Sequence, residues 1–330
     1  MLNTIQETVN NLWTSNRKTR SSASGWVSGN AVCCPHNGES VDTRGRGGVI
    51  SNGDGHVSYA CFNCNFKTGY QPGRHLTYKF RKLLGWLGAD ENTIRKLVID
   101  AVRIKDLVAP ETIKETEKEQ PTFKARLLPE DAVNLLESQD LAALEYLLER
   151  QIDPAEYTFY TSSTLAHNLN RRLIIPCTWQ NNTIGYTSRT WDPAVKPKYY
   201  SQYEPGYVFN VDRQRPSSRL VVVCEGPFDA MSIDGVAVLG NECSESQADI
   251  IDSLGKEVVV VPDGDPAGAK LIDQAIEYGW TVSFPVWLET CKDINEAVVR
   301  YGKLFALKSI LDGRETGRLK IQLRKRKLYN

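Results

Sequence analysis

A chain of 330 residues with 41% hydrophobic content is large and apolar enough to bury a sizeable core and to divide into two or three units. Its 40 basic residues balance its 40 acidic ones, so attraction to nucleic acid must come from local patches and not from overall charge. No apolar run approaches membrane-spanning length, and Asn3, Gln6 and Glu7 interrupt the N-terminus where a signal peptide would be apolar; the expectation is an intracellular, cytoplasmic protein with no membrane partner.

Four of the eight cysteines fall in two tight groups, Cys33-Cys34-Pro35-His36 and Cys61-Phe62-Asn63-Cys64. In a reducing compartment this arrangement points to metal and not to disulfides. Cys33-x-x-His36 with Cys61-x-x-Cys64 supplies the four ligands of a closed tetrahedral zinc site, so Cys33, His36, Cys61 and Cys64 are the expected set. Cys33 is chosen over Cys34 on spacing to His36, and the choice between them stays open. The glycines at 38, 47, 48, 53 and 55 leave the segment too poor in core residues to fold unaided. Arg44-Gly45-Arg46-Gly47-Gly48 reads as a flexible basic loop suited to a phosphate backbone. Tyr59, Phe62 and Phe66 are either base-stacking platforms or the ribbon's own small core. Cys177, Cys224, Cys243 and Cys291 read as ordinary buried thiols.

Phe80, Leu83, Leu84 and Leu87, then Ile94, Leu97, Val98 and Val102, recur at helical spacing on either side of Gly88-Ala89-Asp90 and predict two helices packed on the ribbon. Glu111 to Gln120 is charged and ends at Pro121, as a linker does. A helix is expected over Ala132 to Glu149, with its leucines in the core. Arg171 to Pro176 and Ile184 to Arg189 read as two strands joined by the turn Gln180-Asn181-Asn182-Thr183, with Lys196-Pro197-Lys198-Tyr199-Tyr200 following.

Leu220 to Val223 and Val258 to Val261 are short apolar runs of the kind buried in a parallel sheet, and each leads through an acidic turn into a helical pattern. The turns are Cys224-Glu225-Gly226-Pro227-Phe228-Asp229 and Val261-Pro262-Asp263-Gly264-Asp265. Parallel strands bring such turns to one sheet edge, where Glu225, Asp229, Asp263 and Asp265 would hold hard cations through oxygen. Magnesium is the expected ion, with manganese as its substitute. Between the turns lie a strand (Val236 to Gly240) and a helix (Ser244 to Leu254). After them come a helix (Ala267 to Tyr278), a strand (Thr281 to Val286) and Lys292-Asp293-Ile294-Asn295-Glu296. From Arg314 to Lys327 there are seven basic residues and one acidic, a helix or extended tail suited to nucleic acid or a partner. No Walker-type loop is present in the sequence.

This order resembles the TOPRIM module of bacterial-type and phage DNA primases, type IA topoisomerases and some nucleases. Its signature is a Glu-Gly turn with a following Asp, then Asp-x-Asp-x-x-Gly, matched here by Glu225-Gly226-Pro227-Phe228-Asp229 and Asp263-Gly264-Asp265-Pro266-Ala267-Gly268. Lys292-Asp293-x-Asn295-Glu296 is similar to the primase form and makes Asp293 a further acidic candidate. Leu173-Ile174-Ile175-Pro176, Gly185-Tyr186-x-x-Arg189 and Pro197-Lys198-Tyr199 resemble the primase RNA-polymerase core, and Cys34-Pro35 resembles the Cys-Pro of primase zinc ribbons. Within that superfamily the likeness is greatest to the stand-alone primases of T-even-like bacteriophages. A lysine that bacterial primases carry soon after Pro-Lys-Tyr is replaced by Phe209-Asn210-Val211, so the resemblance implies that this nucleotide contact is either absent or supplied by Arg213 or Arg215.

The resemblance implies an α/β protein in five parts: a zinc-binding template-recognition domain (1–105), a charged linker (106–124), the N-terminal part of the polymerase core (125–215), a TOPRIM parallel-sheet module (216–312) and a basic tail (313–330). It implies primer synthesis from ribonucleoside triphosphates on single-stranded DNA by metal-dependent nucleotidyl transfer. Glu225, Asp263 and Asp265 would hold magnesium, with Asp229 and Asp293 beside them, and Arg172, Arg189 and Lys198 would bind template or triphosphate. A separate hexameric helicase and a single-strand-binding protein are the implied partners. A TOPRIM nuclease would use the same acids but has no use for the Pro-Lys-Tyr block. A non-catalytic recombination mediator pairing a zinc finger with TOPRIM needs no complete acidic set, and a topoisomerase needs a further large domain.

Overall fold

The computed structural model describes residues 2–15, 17–74, 76–107, 121–162, 169–264, 268–288 and 291–329 and divides into two units, Met1–Glu119 and Gln120–Asn330. The linker residues 111–120 expected from composition lie outside the described residues.

In the first unit, Ile5, Val9 and Trp13 recur every fourth residue and form the buried stripe of helix α1 (Thr4–Ser15). The Trp13 indole N–H donates to the Val27 carbonyl at 2.8 Å and ties this helix to a sheet. That sheet is an antiparallel meander of β1 (Arg20–Ser21), β2 (Trp26–Gly29), β3 (Gly47–Ser51), β4 (Val57–Cys61) and β5 (Lys67–Tyr70). Alternation along β4 turns Val57, Tyr59 and Cys61 inward. The two helices predicted from leucine spacing are α2 (Tyr78–Trp86), capped by the Thr77 hydroxyl, and α3 (Glu91–Leu107). Phe80, Leu83, Leu84, Leu97 and Ile104 join Val49 and Tyr59 in one core, each such burial stabilising by about 1.5–3 kcal/mol.

The second unit begins with β6 (Val133–Asn134). The single helix expected over Ala132 to Glu149 is two: Asn134 caps α4 (Leu135–Ser138), Gln139 takes a left-handed φ of 51°, and Asp140 caps α5 (Leu141–Glu149). The break turns Leu141 and Leu148 outward, 79% and 77% exposed, while Leu135 and Leu147 stay buried, so the leucines are core only in part. With β7 (Tyr160–Thr161), β8 (Arg172–Trp179), β9 (Asn182–Thr190) and β10 (Tyr199–Tyr203) the chain builds an antiparallel sheet in the order β10-β9-β8-β7-β6. Gln180 and Asn181, both at positive φ, make the two-residue turn between β8 and β9.

The remaining strands form the second sheet of this unit: β11 (Leu220–Cys224), β12 (Val236–Ala237), β13 (Glu257–Val260), β14 (Thr281–Ser283) and β15 (Arg314–Glu315), in the order β12-β11-β13-β14-β15. The first four are parallel and β15 closes one edge antiparallel. Helices α6 (Pro227–Ile233), α7 (Glu245–Ser253) and α8 (Gly268–Tyr278) make the crossovers that parallel pairing requires. After β14 come α9 (Ile294–Tyr301), α10 (Lys303–Asp312) and α11 (Arg318–Tyr329). The basic C-terminal segment thus supplies β15 and a helix, α11, that packs on α8 with Ile321 buried. Because β11 and β13 run parallel with Val223 opposite Val260, their acidic turns leave the sheet side by side. Among the described residues no helix is long and apolar enough to cross a membrane.

Candidate functional site

Cys34–Asn37 form a 3₁₀ turn with Pro35 in its first position, and this tight turn decides which side chains reach the cysteine group. The sulfurs of Cys33, Cys34, Cys61 and Cys64 all lie within 4.8 Å of one another, with Cys33 and Cys64 at 3.3 Å and Cys34 and Cys61 at 3.5 Å. A zinc tetrahedron with bonds of about 2.3 Å has edges of about 3.8 Å, so this four-sulfur donor set fits zinc. The expected ligand set is corrected by this geometry: both Cys33 and Cys34 belong to the group and His36 does not. The His36 ring instead lies flat on Trp86, at 4.6 Å and an interplanar angle of 4°.

Burial pushes the Cys33 thiol well up and the Cys34 thiol up to about 11, where the Asn63 amide opposes it. At Cys61 burial is outweighed by the N–H groups of Cys64 and Asn63, and the thiol falls below its usual value. Asn63 therefore serves two sulfurs, its main-chain N–H approaching Cys61 at 3.4 Å and its side chain Cys34 at 3.5 Å. Tyr59 and Phe66 belong to the core around this group, whereas Phe62 is 80% exposed. The basic loop is tethered: Asp42 accepts N–H bonds from Ala31, Arg44 and Arg46 at 2.8, 2.9 and 2.7 Å, and the Arg46 guanidinium bonds the Asn63 side chain.

In the second unit the acidic turns converge at the carboxyl ends of β11 and β13. Glu225 and Asp229 are buried, and Asp263 and Asp293 are half-buried. Glu225 Oε1 accepts the Asp263 N–H at 3.3 Å, and Asp229 Oδ1 accepts the Asn295 N–H at 2.9 Å. That second donor is one of the unpaired amides in the first turn of α9. Asp293 caps the same helix, accepting the Glu296 N–H at 2.8 Å. A Cβ at Gly226 would lie 2.7 Å from Asp229 Oδ2, so the glycine of the Glu-Gly pair makes room for the aspartate. Burial pushes Asp229 up to about 8, the charges of Asp293 and Asp263 adding to it against the Asn295 N–H and Arg150. Burial and then Asp229, Asp263, Glu225 and Asp293 raise the Cys224 thiol beneath them, so all four carboxylates act on the end of β11.

Among the described residues only the cysteines bring three or more ligand atoms within 4.8 Å; the carboxylates approach without closing to that distance. Desolvated oxygen donors of like charge are the set that suits a hard divalent cation, and the raised Asp229 shows that burial and the repulsion of Asp293 and Asp263 together outweigh the Asn295 N–H and the Arg150 charge. Asp265 lies outside the described residues.

Pairing of β9 with β10 sets Arg189 opposite Tyr199, and the guanidinium lies over that ring at 4.7 Å. Lys198, the residue before β10, is exposed; partial burial and the charges of Arg189 and Arg150 hold it below the usual lysine value, with Asp293 and Asp263 pulling the other way. Lys198 and Arg189 thus belong to the same electrostatic neighbourhood as the acids. Arg172 does not present itself to a template. Its side chain is fully buried and its guanidinium donates to the Lys198 carbonyl at 3.2 Å and to the Pro197 carbonyl, so it shapes the Pro-Lys-Tyr segment from within.

Sequence reasoning missed Arg150. Its guanidinium is held between the rings of Tyr146 and Phe228, at 4.8 and 4.9 Å, and its Nη1 donates to Asn295 Oδ1 at 2.7 Å. Asn295 returns its side-chain N–H to the Arg150 carbonyl at 2.9 Å and to the Ser232 hydroxyl at 2.8 Å. Asn295 carried a signal, its place in the Lys-Asp-x-Asn-Glu run; Arg150, at the end of a leucine-rich helix, carried none.

The family model described as Toprim-like matches residues 222–298, the stretch that runs from β11 into α9 and holds Glu225, Asp229, Asp263 and Asp293. The chain is also similar to the DNA primase of Aquifex aeolicus (strain VF5), with 24% identity over 176 residues, 48% of this chain and 35% of that protein. The chain thus spans about a third of the length of this curated relative. A solved structure of the Aquifex aeolicus primase zinc-binding and RNA polymerase domains gives a TM-score of 0.46 at 18% identity, covering 97% of this chain and 90% of that one. The RNA polymerase domain of Mycobacterium tuberculosis primase DnaG gives 0.46 at 19% identity, covering 58% and 85%.

Proposed function

We propose that this chain is a DNA primase that makes short RNA primers de novo from ribonucleoside triphosphates on single-stranded DNA for lagging-strand replication. The observation that carries this reading is the convergence of four carboxylates on the end of β11, with Lys198, Arg189 and Arg150 in the same field. A nuclease needs the acids alone, whereas an incoming triphosphate also needs neighbouring cations to neutralise it.

Glu225, Asp263 and Asp265 would hold magnesium, or manganese in its place. The metal, when bound, would supply charge stabilisation to the transferring phosphoryl group. Asp229 keeps its carboxylate on the first turn of α6, fixed by the Asn295 N–H, and Asp293 keeps the start of α9 facing the same point. Lys198 and Arg189 bind the triphosphate or the template phosphates, and Arg172 holds the Lys198 main chain in place from the interior. The contact of the lysine missing after Pro-Lys-Tyr is either absent or supplied by Arg213 or Arg215.

In the first unit Cys33, Cys34, Cys61 and Cys64 hold structural zinc, and the ribbon selects the start site on the template. The exposed Phe62 and the tethered loop with Arg44 and Arg46 are its contacts. Unwinding falls to a separate hexameric helicase, and single-strand-binding protein covers the template. The chain belongs with the stand-alone primases of T-even-like phages and acts in the host-cell cytoplasm.

The test is incorporation of labelled ribonucleotides on mixed-sequence single-stranded DNA with magnesium and no added primer, native chain against Asp263→Ala. Short RNA products that vanish in the variant are expected. DNA binding without synthesis, even with helicase present, would favour a mediator, and cutting of the template a nuclease.

A further inference from the structure

The main chain at Asp263 is held from three sides. Its N–H donates to Glu225 Oε1 at 3.3 Å, its carbonyl accepts the Tyr329 phenolic O–H at 2.7 Å, and the next N–H, of Gly264, donates to the Lys292 carbonyl at 3.1 Å. These partners come from the end of β11, from α11 and from the segment entering α9. Together they fix the peptides on both sides of the Asp263 Cα, and so the direction in which its side chain leaves the turn. The fit is close: a Cβ at Gly268 would lie 2.4 Å from the Asp263 carbonyl oxygen and 3.0 Å from the Tyr329 oxygen. Glycine at 268 lets α8 start against this carbonyl while the phenol still reaches it.

Helix α11 is placed to deliver that phenol. Ile321, Lys325 and Tyr329 recur every fourth residue and form one stripe. Ile321 is buried, Lys325 pairs with Asp273 of α8 at 2.6 Å, and Arg324 pairs with Glu315 of β15 at 3.2 Å. A segment whose composition suggests only a basic tail therefore ends with its tyrosine on the acidic turn.

The geometry points to Tyr329 as a positioning residue of the acidic centre: its hydroxyl holds the Asp263 turn in the orientation in which the Asp263 carboxylate meets a divalent cation. The inference rests on the reading of Glu225 and Asp263 as metal ligands. Carboxylates gathered at one sheet edge repel one another, and a turn held only by its immediate neighbours in sequence would relieve that repulsion by swinging outward. A neutral hydrogen bond to the main chain opposes the swing without adding charge, and it takes up no carboxylate oxygen.

The experiment is manganese binding to the full chain followed by electron paramagnetic resonance, in the native protein, Tyr329→Phe, Asp263→Asn and, as a control on the same helix, Lys327→Ala. Tyr329→Phe is expected to weaken manganese binding about two- to tenfold, the range set by one net hydrogen bond, with the thermal midpoint lowered by no more than about 1–6 °C. Lys327→Ala should bind as the native protein does, and a loss as large as that of Tyr329→Phe would assign the effect to helix charge instead. In primer synthesis Tyr329→Phe should raise the magnesium needed for half-maximal rate, and excess magnesium should restore the maximum. Native affinity in Tyr329→Phe overturns the positioning role, whereas native affinity in Asp263→Asn overturns the metal assignment beneath it.

Discussion

Replacing Cys34 and His36 one at a time separates the two donor sets that the segment Cys33-Cys34-Pro35-His36 allows. Zinc held by four sulfurs contributes about 10–16 kcal/mol of binding free energy in small zinc domains, and that energy is also folding energy. Cys34→Ser removes one of four sulfurs that sit 3.3 to 3.5 Å apart in pairs. Affinity should drop by far more than the roughly 10–100-fold that follows loss of an outer hydrogen bond, and the purified chain should carry little zinc. His36→Ala removes a flat stack on Trp86, worth about 0.5–1.5 kcal/mol, and leaves the sulfurs untouched. In a domain near this size 1 kcal/mol moves the melting midpoint by roughly 4 °C, so zinc release should come about 2–6 °C lower with the zinc content unchanged. Metal content by mass spectrometry and the temperature of zinc release to a chromogenic chelator read the two variants. Zinc lost from His36→Ala and kept by Cys34→Ser would refute the four-sulfur assignment.

Four further outcomes are expected. Arg172→Lys should destabilise the chain by about 1–3 kcal/mol in denaturant unfolding, because an ammonium cannot span the carbonyls of Pro197 and Lys198, while the salt dependence of template binding stays native. Lys198→Ala should leave stability within about 0.5 kcal/mol but raise the KM for ribonucleotide on the order of tenfold, read from steady-state primer synthesis. Asn295→Ala removes three side-chain hydrogen bonds to Arg150 and Ser232 and should cost about 2–4 kcal/mol in the same unfolding measurement. Asp229 binds its proton more tightly in the folded chain, at about 8 against an ordinary 3.8; its neutral form supports stability fully below the lower value and loses that support as pH rises through the upper one. With chelator present, native stability should therefore fall relative to Asp229→Asn between pH 6 and pH 9, and parallel unfolding curves at the two pH values would count against the raised value.

The parallel sheet was legible in the sequence because its strands are runs of β-branched residues buried on both faces, and each acidic turn follows such a run directly. The helices α2 and α3 were legible for a similar reason, the spacing of their leucines. The zinc ligands were legible as a group but not individually, since spacing counted in residues does not register a 3₁₀ turn that brings Cys34 inward and sends His36 to Trp86. Arg172 looked like a contact residue because charge is normally solvated, and only the fold shows main-chain carbonyls as its partners. The stripe of α1 was present at residues 5, 9 and 13, yet it is too short to stand out without the sheet that covers it. Arg150 and Tyr329 act through contacts with residues 145 and 66 positions away, which no local pattern encodes.

The clasp between Arg150 and Asn295 bears on how such a protein can be taken apart or recombined. Residue 216 looks like a natural cut, because the parallel sheet follows it. Yet Phe228 of α6, the residue before Asp229, is met edge-on by the Tyr146 ring at 5.8 Å and lies under the Arg150 guanidinium. A chimera cut at 216 and joined to a foreign N-terminal half would inherit Asn295 without the arginine it clasps, and Asp229 without the cation that faces it. The unit of exchange accordingly begins upstream of α5, and the two sheets of this half of the chain have to travel together.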